Sequence, residues 1–564
     1  MSAIITNKLR IFNAQQFIES INEQSPLWKE SNSYNEGDVV LHNSNLYVAV
    51  GPDGGAVSGT VPPTHLSGIV TDGGVSWAFY NRSLFNNLYM GIGKHSSWDD
   101  DSNPPTPEDS VGYHNTTKSD LLALKKVSAD TISLAIPRID WNTDTQYTMY
   151  EHDSVEEIIP NGYILTEGNN QFNVYKCINN TDWKDSAVGV QPVKSTVKPT
   201  GTPTNAIIET GDGYAWKYMY SVDLDASLKF LTKDYVPVKF LTAEPNAATA
   251  DYVQWQIKQN AIANSGGIDW VKITDDNVNS GHAGGSGYYQ NINQSNSTVA
   301  EGTLSFAVTL SGTATALATN DYTGYAVVFT KTGATTPVQR KISNWNFNTS
   351  TNVATITIEN AFLGGEGGSG SIVIAPDVEI NGDGTGFTAY GITQGDQIKK
   401  VMITNKGTGY TNATATVSAG NVSSSSVSAC KVKPIISPAT GHGFNAVEEL
   451  GGYYAMVALK LEYDEQDTRS EDGVTNVTES VFPVTGDRSV FRQIVILSDP
   501  VDEYTDKLAY GTSYRGPKHP NYGTAGQTIF DIDTGTGKVL YIENRQPVSR
   551  AVDQIEDIKV VFEF

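Results

Sequence analysis

The stretch that decides the fold runs from Lys538 to Phe564 and reads KVLYIENRQPVSRAVDQIEDIKVVFEF. Its first part, Lys538–Glu543, is aromatic and β-branched, which predicts a short strand. Pro547 has no N–H to donate to a ladder and is expected to end that strand. From Ile558 onward, apolar residues at every second position predict a strand with one buried face. We therefore expect this stretch to be tied into a core and its deletion to be costly.

Composition extends the β prediction to the whole chain. A length of 564 residues is too great for one core and predicts about three or four domains. Glycine (52 residues) and tyrosine (28) are abundant, and turn residues separate short β-branched runs, so we expect a mainly β protein. The net charge of −24 argues against a nucleic-acid partner, because phosphate contacts need clustered Lys and Arg.

The sequence predicts neither a membrane segment nor a cysteine framework. No run approaches the ~20 apolar residues of a membrane span. The first residues, MSAIITNKLRIF, contain no long apolar region, so no signal peptide is expected. Cys177 and Cys430 are far apart and are interpreted as two reduced, partly buried thiols rather than as a disulfide or a zinc site.

Several short blocks occur along the chain in an informative order. They are Ile5–Lys8, Tyr89–Gly93 with Trp98, Ala135–Trp141, Tyr175–Cys177, Glu209–Trp216, Phe491–Ile496, and Tyr541–Pro547 followed by Asp553 and Gln554. As an ordered set they resemble the baseplate wedge subunits of T-even-type contractile-tailed bacteriophages, the gene product eight family. The resemblance implies a layered β-sandwich body with short helices in its side loops, and no cofactor.

The same resemblance implies a role. A protein of this family is expected to be a homodimer that joins other baseplate wedge proteins and helps transmit the trigger for sheath contraction. It would be part of the virion, in the tail baseplate, and would be assembled in the cytoplasm of a host bacterium.

The family pattern is interrupted twice, which divides the chain into a body and two inserted all-β units. The body is expected to consist of residues 1–24, 86–264 and 437–564. A small Gly- and Pro-rich module fills residues 25–85, and a Gly- and Thr-rich arm fills residues 265–436.

The small module carries a spaced aromatic pattern. Its members are Trp28, Tyr34, Gly37, Asp38, Val40 and Tyr47. This spacing resembles the small chitin- and cellulose-binding modules attached to many hydrolases, which stack sugar rings on exposed aromatic rings. Trp28, Tyr47 and Trp77 are the candidate stacking residues. The alternative interpretation is that these rings form the module's own core, because so small a domain has little else to bury.

The arm contains a weak repeat. Ile268–Ile273 and Ile398–Ile403 each lead to a Gly-x-Gly-Tyr turn, so both are predicted to be strands, and they are expected to pair at the base of the arm. An insertion is tolerated where its two ends meet at an exposed loop. We therefore expect the arm's entry and exit to lie close together and the arm to be removable.

Two short helices are predicted in the body. Asn13 can cap a helix through Ile21, with Gln16 completing a capping box. Ser119 can cap a second helix through Lys126, whose charge order suits the helix dipole.

No catalytic or metal-binding constellation is found. Gly535–Lys538 lacks the first glycine and the final Ser or Thr of a phosphate-binding loop, so it is interpreted as a turn. Asp99–Asp101 fits no calcium loop and is interpreted as a solvated acidic loop rather than a calcium site. The histidines form no zinc motif, and no acid pair is identifiable. We therefore predict no catalytic residues, no metal and no cofactor, and a protein that is not an enzyme.

Three function classes remain for comparison. A structural baseplate component is favoured by the ordered family blocks. A receptor- or polysaccharide-binding tail adhesin is suggested by the small module and the arm. A polysaccharide hydrolase would need an acid pair that the sequence does not reveal.

Overall fold

The computed structural model describes most of the chain. It covers residues 6–22, 28–42, 45–50, 55–82, 88–154, 158–181, 192–274, 284–422, 427–461, 466–471, 474–480, 490–502, 513–514, 532–533, 535–549 and 556–564. Antiparallel sheets dominate, which confirms the mainly β fold. The block residues Ile5, Asp553 and Gln554 lie outside the described residues.

Three large sheets form the described part of the body, and one pair of base strands packs against them. The outer sheet has the order Ser513–Tyr514, Leu121–Lys126, Leu88–Gly93, Val490–Ser498, Lys538–Ser549. The central sheet has the order Tyr235–Val238, Ile132–Pro137, Tyr454–Leu461, Glu556–Glu563. The aromatic sheet has the order Tyr163–Gly168, Gln171–Asn179, Ala215–Asp223, Ile208–Glu209. The base strands, Ile268–Ile273 and Val432–Ile436, pair with each other.

One face of the central sheet organises the packing of the body. Ile132 on this face lies in a core with Met90 and Ile496 of the outer sheet. Leu134, two residues further along the same face, lies in a core with Val174 of the aromatic sheet. The body is therefore a set of stacked β layers that share the central sheet.

The base strands pack on the far face of the aromatic sheet. Trp270 and Ile435 share a buried cluster with Tyr175, Trp216 and Tyr218. These strands thus contribute to the core of the body, although the predicted arm boundaries at 265 and 436 include them.

The final strand, Glu556–Glu563, has the alternating burial that its sequence predicts. Ile558 and Val560 are buried in the core between the outer and central sheets. The first helix, Asn7–Asn22, covers the end of this strand, because its Phe17 ring lies 5.5 Å from Phe562. Arg10 of the helix donates to the carbonyl of Phe564.

The first helix begins earlier than predicted. Its start is at Asn7 rather than beside Asn13, and Thr6 accepts a hydrogen bond from the backbone N–H of Leu9 at 3.3 Å. The predicted Asn13 cap was wrong because Ile11 and Ala14 are already buried against the body, so packing extends the helix towards its N-terminus.

The second predicted helix, Ser119–Lys126, was also wrong. Ser119 is the last residue of helix Val111–Ser119, whose cap is Ser110, and Leu121–Lys126 is a strand. Leu122 packs towards the central sheet, whereas Leu124 packs on the opposite face of the outer sheet. Burial on both faces of a sheet overrides the helical propensity of this segment.

Pro547 does not end its strand, contrary to the prediction. Lys538–Ser549 continues through it as the edge strand of the outer sheet. The register shifts between Phe491 and Gln493 of the neighbouring strand, which leaves the proline opposite an irregular stretch of the ladder. A proline is tolerated at such an edge or bulge because no ladder N–H is required there.

The small module and the arm add further sheets. The module sheet has the order Val39–His42, Asn45–Val50, Val75–Arg82, Ile69–Asp72, and Ser33–Tyr34 pairs beside it with Ala56–Val57. In the arm, the proximal sheet has the order Gln397–Thr408, Thr385–Gln394, Asp377–Gly382, Ala413–Val417. The distal sheet has the order Ile292–Val299, Gly368–Ala375, Ala326–Lys331, Val338–Asn348, Val353–Ile358, Ser305–Thr309.

The remaining elements are short. The helices are Leu224–Phe230, Ala250–Ala263, Thr313–Leu317 and Ala446–Leu450, with a 3₁₀ turn at Ala129–Thr131. Two strand pairs complete the assignment: Gln466–Glu471 with Val474–Ser480, and Val501–Asp502 with Ile532–Asp533. Among the helices of the described ranges, none combines the length and the apolar character needed to cross a membrane.

The base of the arm differs from the predicted pairing. Ile268–Ile273 pairs with Val432–Ile436, not with the repeat segment Ile398–Ile403, which pairs with Thr385–Gln394 in a hairpin. Ile398–Ile403 already pairs with its neighbour in a local hairpin. The first base strand, which leads into the arm, therefore pairs with the second base strand, which leads out of it. The expected closeness of entry and exit is confirmed, since Ile268 is the Cα partner of Ile436.

Candidate functional site

The aromatic candidates of the small module lie in or against its core. Tyr47 and Trp77 are fully buried. The ring of Tyr34 meets Trp77 edge-on at 4.9 Å, and the Tyr47 hydroxyl donates to the carbonyl of His65 at 3.0 Å. Trp28 is half-buried and packs against the same cluster. Because a buried ring offers no face to a sugar, the geometry favours the core interpretation for Tyr47 and Trp77.

We expect Trp77→Ala to unfold the small module. Truncating a fully buried tryptophan removes its contacts and leaves a cavity, at a cost of about 3–5 kcal/mol. Hydrogen exchange on the full chain should show loss of protection in residues 28–82 with the body unchanged. Val70→Ala, at an exposed position of the same module, is the matched control. Unchanged protection in the Trp77 variant would show that this ring is not essential to the core.

The acidic loop at Asp99–Asp101 is an anchored turn. Both carboxylate oxygens of Asp101 accept from the buried guanidinium of Arg492, at 2.8 and 2.7 Å. The pKa of Asp101 lies below its usual value, chiefly because of this hydrogen bonding. Asp100 accepts from the backbone and hydroxyl of Ser102. The loop is thus held to the outer sheet by Asp101 rather than being a freely solvated acidic run.

Within the described ranges, no cluster of three or more His, Cys, Asp or Glu side chains has a geometry that could hold a metal ion. Cys177 and Cys430 are both buried free thiols, and burial raises the pKa of each. This agrees with their interpretation as thiols outside any disulfide, although both are buried more fully than predicted.

The most developed polar site lies where the arm joins the body. Lys176 of the aromatic sheet and Glu449 of helix Ala446–Leu450 form a buried ion pair at 3.1 Å. His442 Nδ1 lies 2.8 Å from the same Glu449 carboxylate, and the Gly443 N–H donates to Glu449 at 2.6 Å. Lys176 Nζ lies over the Tyr150 ring, 4.3 Å from its centroid. The His442 ring meets the Tyr150 ring edge-on at a centroid distance of 4.6 Å. We call this set, together with Asp269 and Lys406, the joint network.

Asp269 connects the joint network to the arm. Asp269 belongs to the first base strand and accepts from Lys406 of the proximal sheet at 2.6 Å. Its other oxygen lies 3.6 Å from His442 Nε2. A cavity of about 20 Å³ adjoins Asp269, His442, Lys406 and Lys217, which is room for one water molecule. The network therefore runs from the body, through the base strand, into the arm.

Electrostatics in the joint network are set by burial and by the close charges. Burial alone would raise the pKa of Glu449, but the charge of Lys176 and the hydrogen bonds from His442 and Gly443 lower it to about 2. Burial, reinforced by Lys176, lowers the pKa of His442. Burial and the nearby Lys406 lower the pKa of Lys217 to about 8. Glu449 is therefore ionised and His442 is neutral at neutral pH.

Further charge pairs flank this network with a consistent polarity. Lys272 and Lys433 of the base strands donate to Glu151 of the body at 2.9 and 2.6 Å. Lys433 also donates to Asp153, and Lys400 of the proximal sheet pairs with Glu209 of the aromatic sheet. In all of these flanking pairs the lysine comes from a base strand or from the proximal sheet, and the carboxylate comes from a residue between positions 151 and 209. The two surfaces are thus matched in charge.

A second buried carboxyl lies inside the arm. Asp377 of the proximal sheet accepts from Gln339 of the distal sheet at 2.7 Å. Burial raises the pKa of Asp377 to about 6. A carboxyl whose pKa is raised by folding contributes stability that is present at low pH and is lost as the pH rises through about 6.

We expect Asp377→Asn to stabilise the arm above pH 6 and to have little effect below about pH 4, where the carboxyl group is protonated in both the folded and the unfolded chain. Asparagine keeps the acceptor for Gln339 without the cost of a buried charge, so the gain at pH 8 should be on the order of 2–3 kcal/mol. Calorimetry from about pH 3.5 to pH 8 measures it, because this range spans the ordinary and the raised pKa of the carboxyl group. Asp383→Asn, at a surface turn of the same sheet, is the control. A gain that does not depend on pH would contradict this assignment.

None of these joint residues was identified from the sequence. Lys176 and Glu449 are 273 positions apart, and Lys406 and Asp269 are 137 apart. The block Tyr175–Cys177 did point to the strand that carries Lys176, but no sequence signal indicated its partner.

Comparison with known proteins finds similarity over parts of the body. A family model described as bacteriophage T4 Gp8 matches residues 181–277 and 474–564. The baseplate wedge protein gp8 of Enterobacteria phage T4 is 26% identical over 204 residues, which is 31% of this chain and 58% of the relative. The chain thus spans little more than half the length of this curated relative.

The matched segments supply strands to every layer of the body. Residues 474–564 contribute Val490–Ser498 to the outer sheet and Glu556–Glu563 to the central sheet. Residues 181–277 contribute Ala215–Asp223 to the aromatic sheet and the first base strand, Ile268–Ile273. The chain has a layered β body, and parts of each layer match the model of a phage protein family. Over these segments the chain is similar to bacteriophage Gp8, which confirms the resemblance drawn from the ordered sequence blocks.

Proposed function

We propose that this protein is a structural component of a contractile-tail baseplate wedge. The observation that carries the proposal is the distribution of the Gp8-matched segments over all layers of the body. In this role the body joins other wedge subunits and helps transmit the trigger for sheath contraction. The protein resides in the virion, in the tail baseplate, after assembly in the host cytoplasm.

Fractionation of purified tails tests this location. After sheath and tube have been removed, the chain should remain with the baseplates in a fixed ratio to the other wedge proteins, measured by quantitative mass spectrometry. Recovery with detached fibres would instead support the adhesin alternative.

The protein is proposed to form a homodimer, which fits the family resemblance. A twofold dimer uses one self-complementary contact. Light scattering on the purified chain should give about twice the monomer mass of 60.9 kDa. A monomer at micromolar concentration would count against the dimer.

A receptor- or polysaccharide-binding function is a second, narrower proposal that rests on the small module. Trp28 is the candidate there that is only half-buried, whereas Tyr47 and Trp77 are fully buried. If it stacks on sugar, Trp28→Ala should abolish binding of host polysaccharide by the full chain while hydrogen exchange in the module stays unchanged. The protein is proposed not to be an enzyme, and release of reducing sugars from host envelope would overturn that.

A further inference from the structure

The small module exposes an unusual concentration of apolar side chains along one edge. Ile69 and Val70 lie on its edge strand, Leu66 precedes that strand, and Val57 and Val61 lie beside its end. Each of these five side chains is between 46% and 65% exposed. Exposed apolar patches of this kind mark interaction surfaces.

The backbone of the edge strand, Ile69–Asp72, also has one side that no described strand pairs with. Ile69–Asp72 pairs with Val75–Arg82 on one side and is the last strand of the module sheet in the described part of the chain. Its far end is partly covered, since Asp72 accepts from the N–H groups of Gly59 and Val61. At the opposite edge of the sheet, Leu41 is buried and accepts from the backbone of Trp28. Among the described residues, none pairs with the outer edge of Ile69–Thr71, and this edge is suited to strand pairing.

Charge indicates what can occupy this edge. The chain carries 62 acidic and 38 basic residues, so two copies repel each other over most of their surfaces. Residues 57–71 contain no Asp, Glu, Lys or Arg. A second copy can approach there without opposing charges, and its apolar side chains complement the patch.

We propose that the edge strand Ile69–Asp72 pairs antiparallel with the same strand of a second copy across a twofold axis. The two four-stranded module sheets then form one continuous eight-stranded sheet, and both open edges are closed. This inference rests on the proposed homodimer and assigns a contact surface to it. In such a continuous antiparallel sheet the twofold axis is perpendicular to the plane of the sheet. Each residue and its symmetry mate therefore face the same side of the sheet. Val70 or Thr71 then lies at the axis.

The test uses the full chain and measures its mass by light scattering. Ile69→Lys together with Val70→Lys places like charges at the axis, and the dimer should dissociate at least tenfold more readily. The control is Leu304→Lys with Leu363→Lys, which makes the same change at exposed positions on the arm. Hydrogen exchange in the module core confirms that the module is still folded.

Cysteine crosslinking tests the geometry. Val70→Cys or Thr71→Cys should give an intermolecular disulfide on mild oxidation, whereas Leu363→Cys should not. If the wild-type chain is a monomer, the homodimer and this inference both fail. If the wild type is a dimer that the lysine variants leave intact and neither edge cysteine crosslinks, the homodimer stands and this inference is overturned.

Discussion

Replacement of residues 292–374 by a short Gly/Ser linker is expected to leave a soluble protein with a cooperative melt, whereas replacement of residues 265–436 is expected to abolish cooperative folding. The shorter deletion removes a unit with its own core, whose fully buried members run from Ile292 to Ile374. These two residues are Cα partners in neighbouring strands, so a short linker can join the chain ends.

The longer deletion removes the base strands as well. Trp270 and Ile435 would be lost from the cluster that covers Tyr175 and Trp216 of the aromatic sheet. Asp269 would be lost from the joint network. Exposure of so large a buried aromatic face should cause aggregation or a melt without a transition. On this basis we propose that the base strands belong to the body and that the arm begins beyond them. If both deletions melt alike, the base strands are dispensable and the original boundaries stand.

Glu449→Gln should lower the free energy of unfolding by about 3–5 kcal/mol at pH 7, because it leaves the buried ammonium group of Lys176 without its partner. Glu448→Gln makes the same change on an exposed neighbour in the same helix and should cost little. Denaturation in urea, followed by tryptophan fluorescence, measures both. Equal effects of the two substitutions would contradict the assigned role of the Lys176–Glu449 pair.

The effect of Glu449→Gln should also depend on pH. Folding lowers the pKa of Glu449 to about 2, so its contribution is fully present above its ordinary pKa and is lost as the pH falls towards 2. The difference between wild type and variant should therefore shrink in acid. Adding Lys176→Met to Glu449→Gln should restore part of the lost stability, since no unpaired buried charge then remains.

The parts of the fold that were predictable are those whose signal is local. The alternation from Ile558 to Phe562 reports a half-buried strand, and the structure has that strand at the central sheet. Tyr214–Tyr220 likewise alternates in the sequence and lies within or beside strand Ala215–Asp223. In the first strand the apolar residues that define the pattern lie towards the core, whereas the second strand is buried on both faces, with Tyr218 in one core and Tyr220 in the other.

The predictions that failed depended on distant parts of the chain. Leu121–Lys126 has helix-forming residues, but Leu88–Gly93 pairs with it and makes it a strand. Ile268–Ile273 was assigned a partner by repeat similarity, yet Val432–Ile436 is its neighbour because it leads out of the arm. Strand pairing and buried ion pairs are set by three-dimensional proximity, which single-sequence periodicity does not report.

The candidate site residues also divide into those with a local sequence signal and those that only distant contacts define. Aromatic spacing correctly indicated a small β module, but spacing alone could not distinguish a ring that binds sugar from a ring that fills a core. Burial of Tyr47 and Trp77 makes that distinction. The joint network was not visible in the sequence, because its charges come from strands and a helix that meet only in the folded chain.

Cryo-EM reconstruction of the intact tail that contains this protein tests the central claim most directly. We expect the outer, central and aromatic sheets to fit density within the baseplate, in contact with neighbouring wedge proteins and present at a fixed number of copies per ring. Density for the body at the distal tip of a fibre, with none in the baseplate, would contradict the proposed structural role.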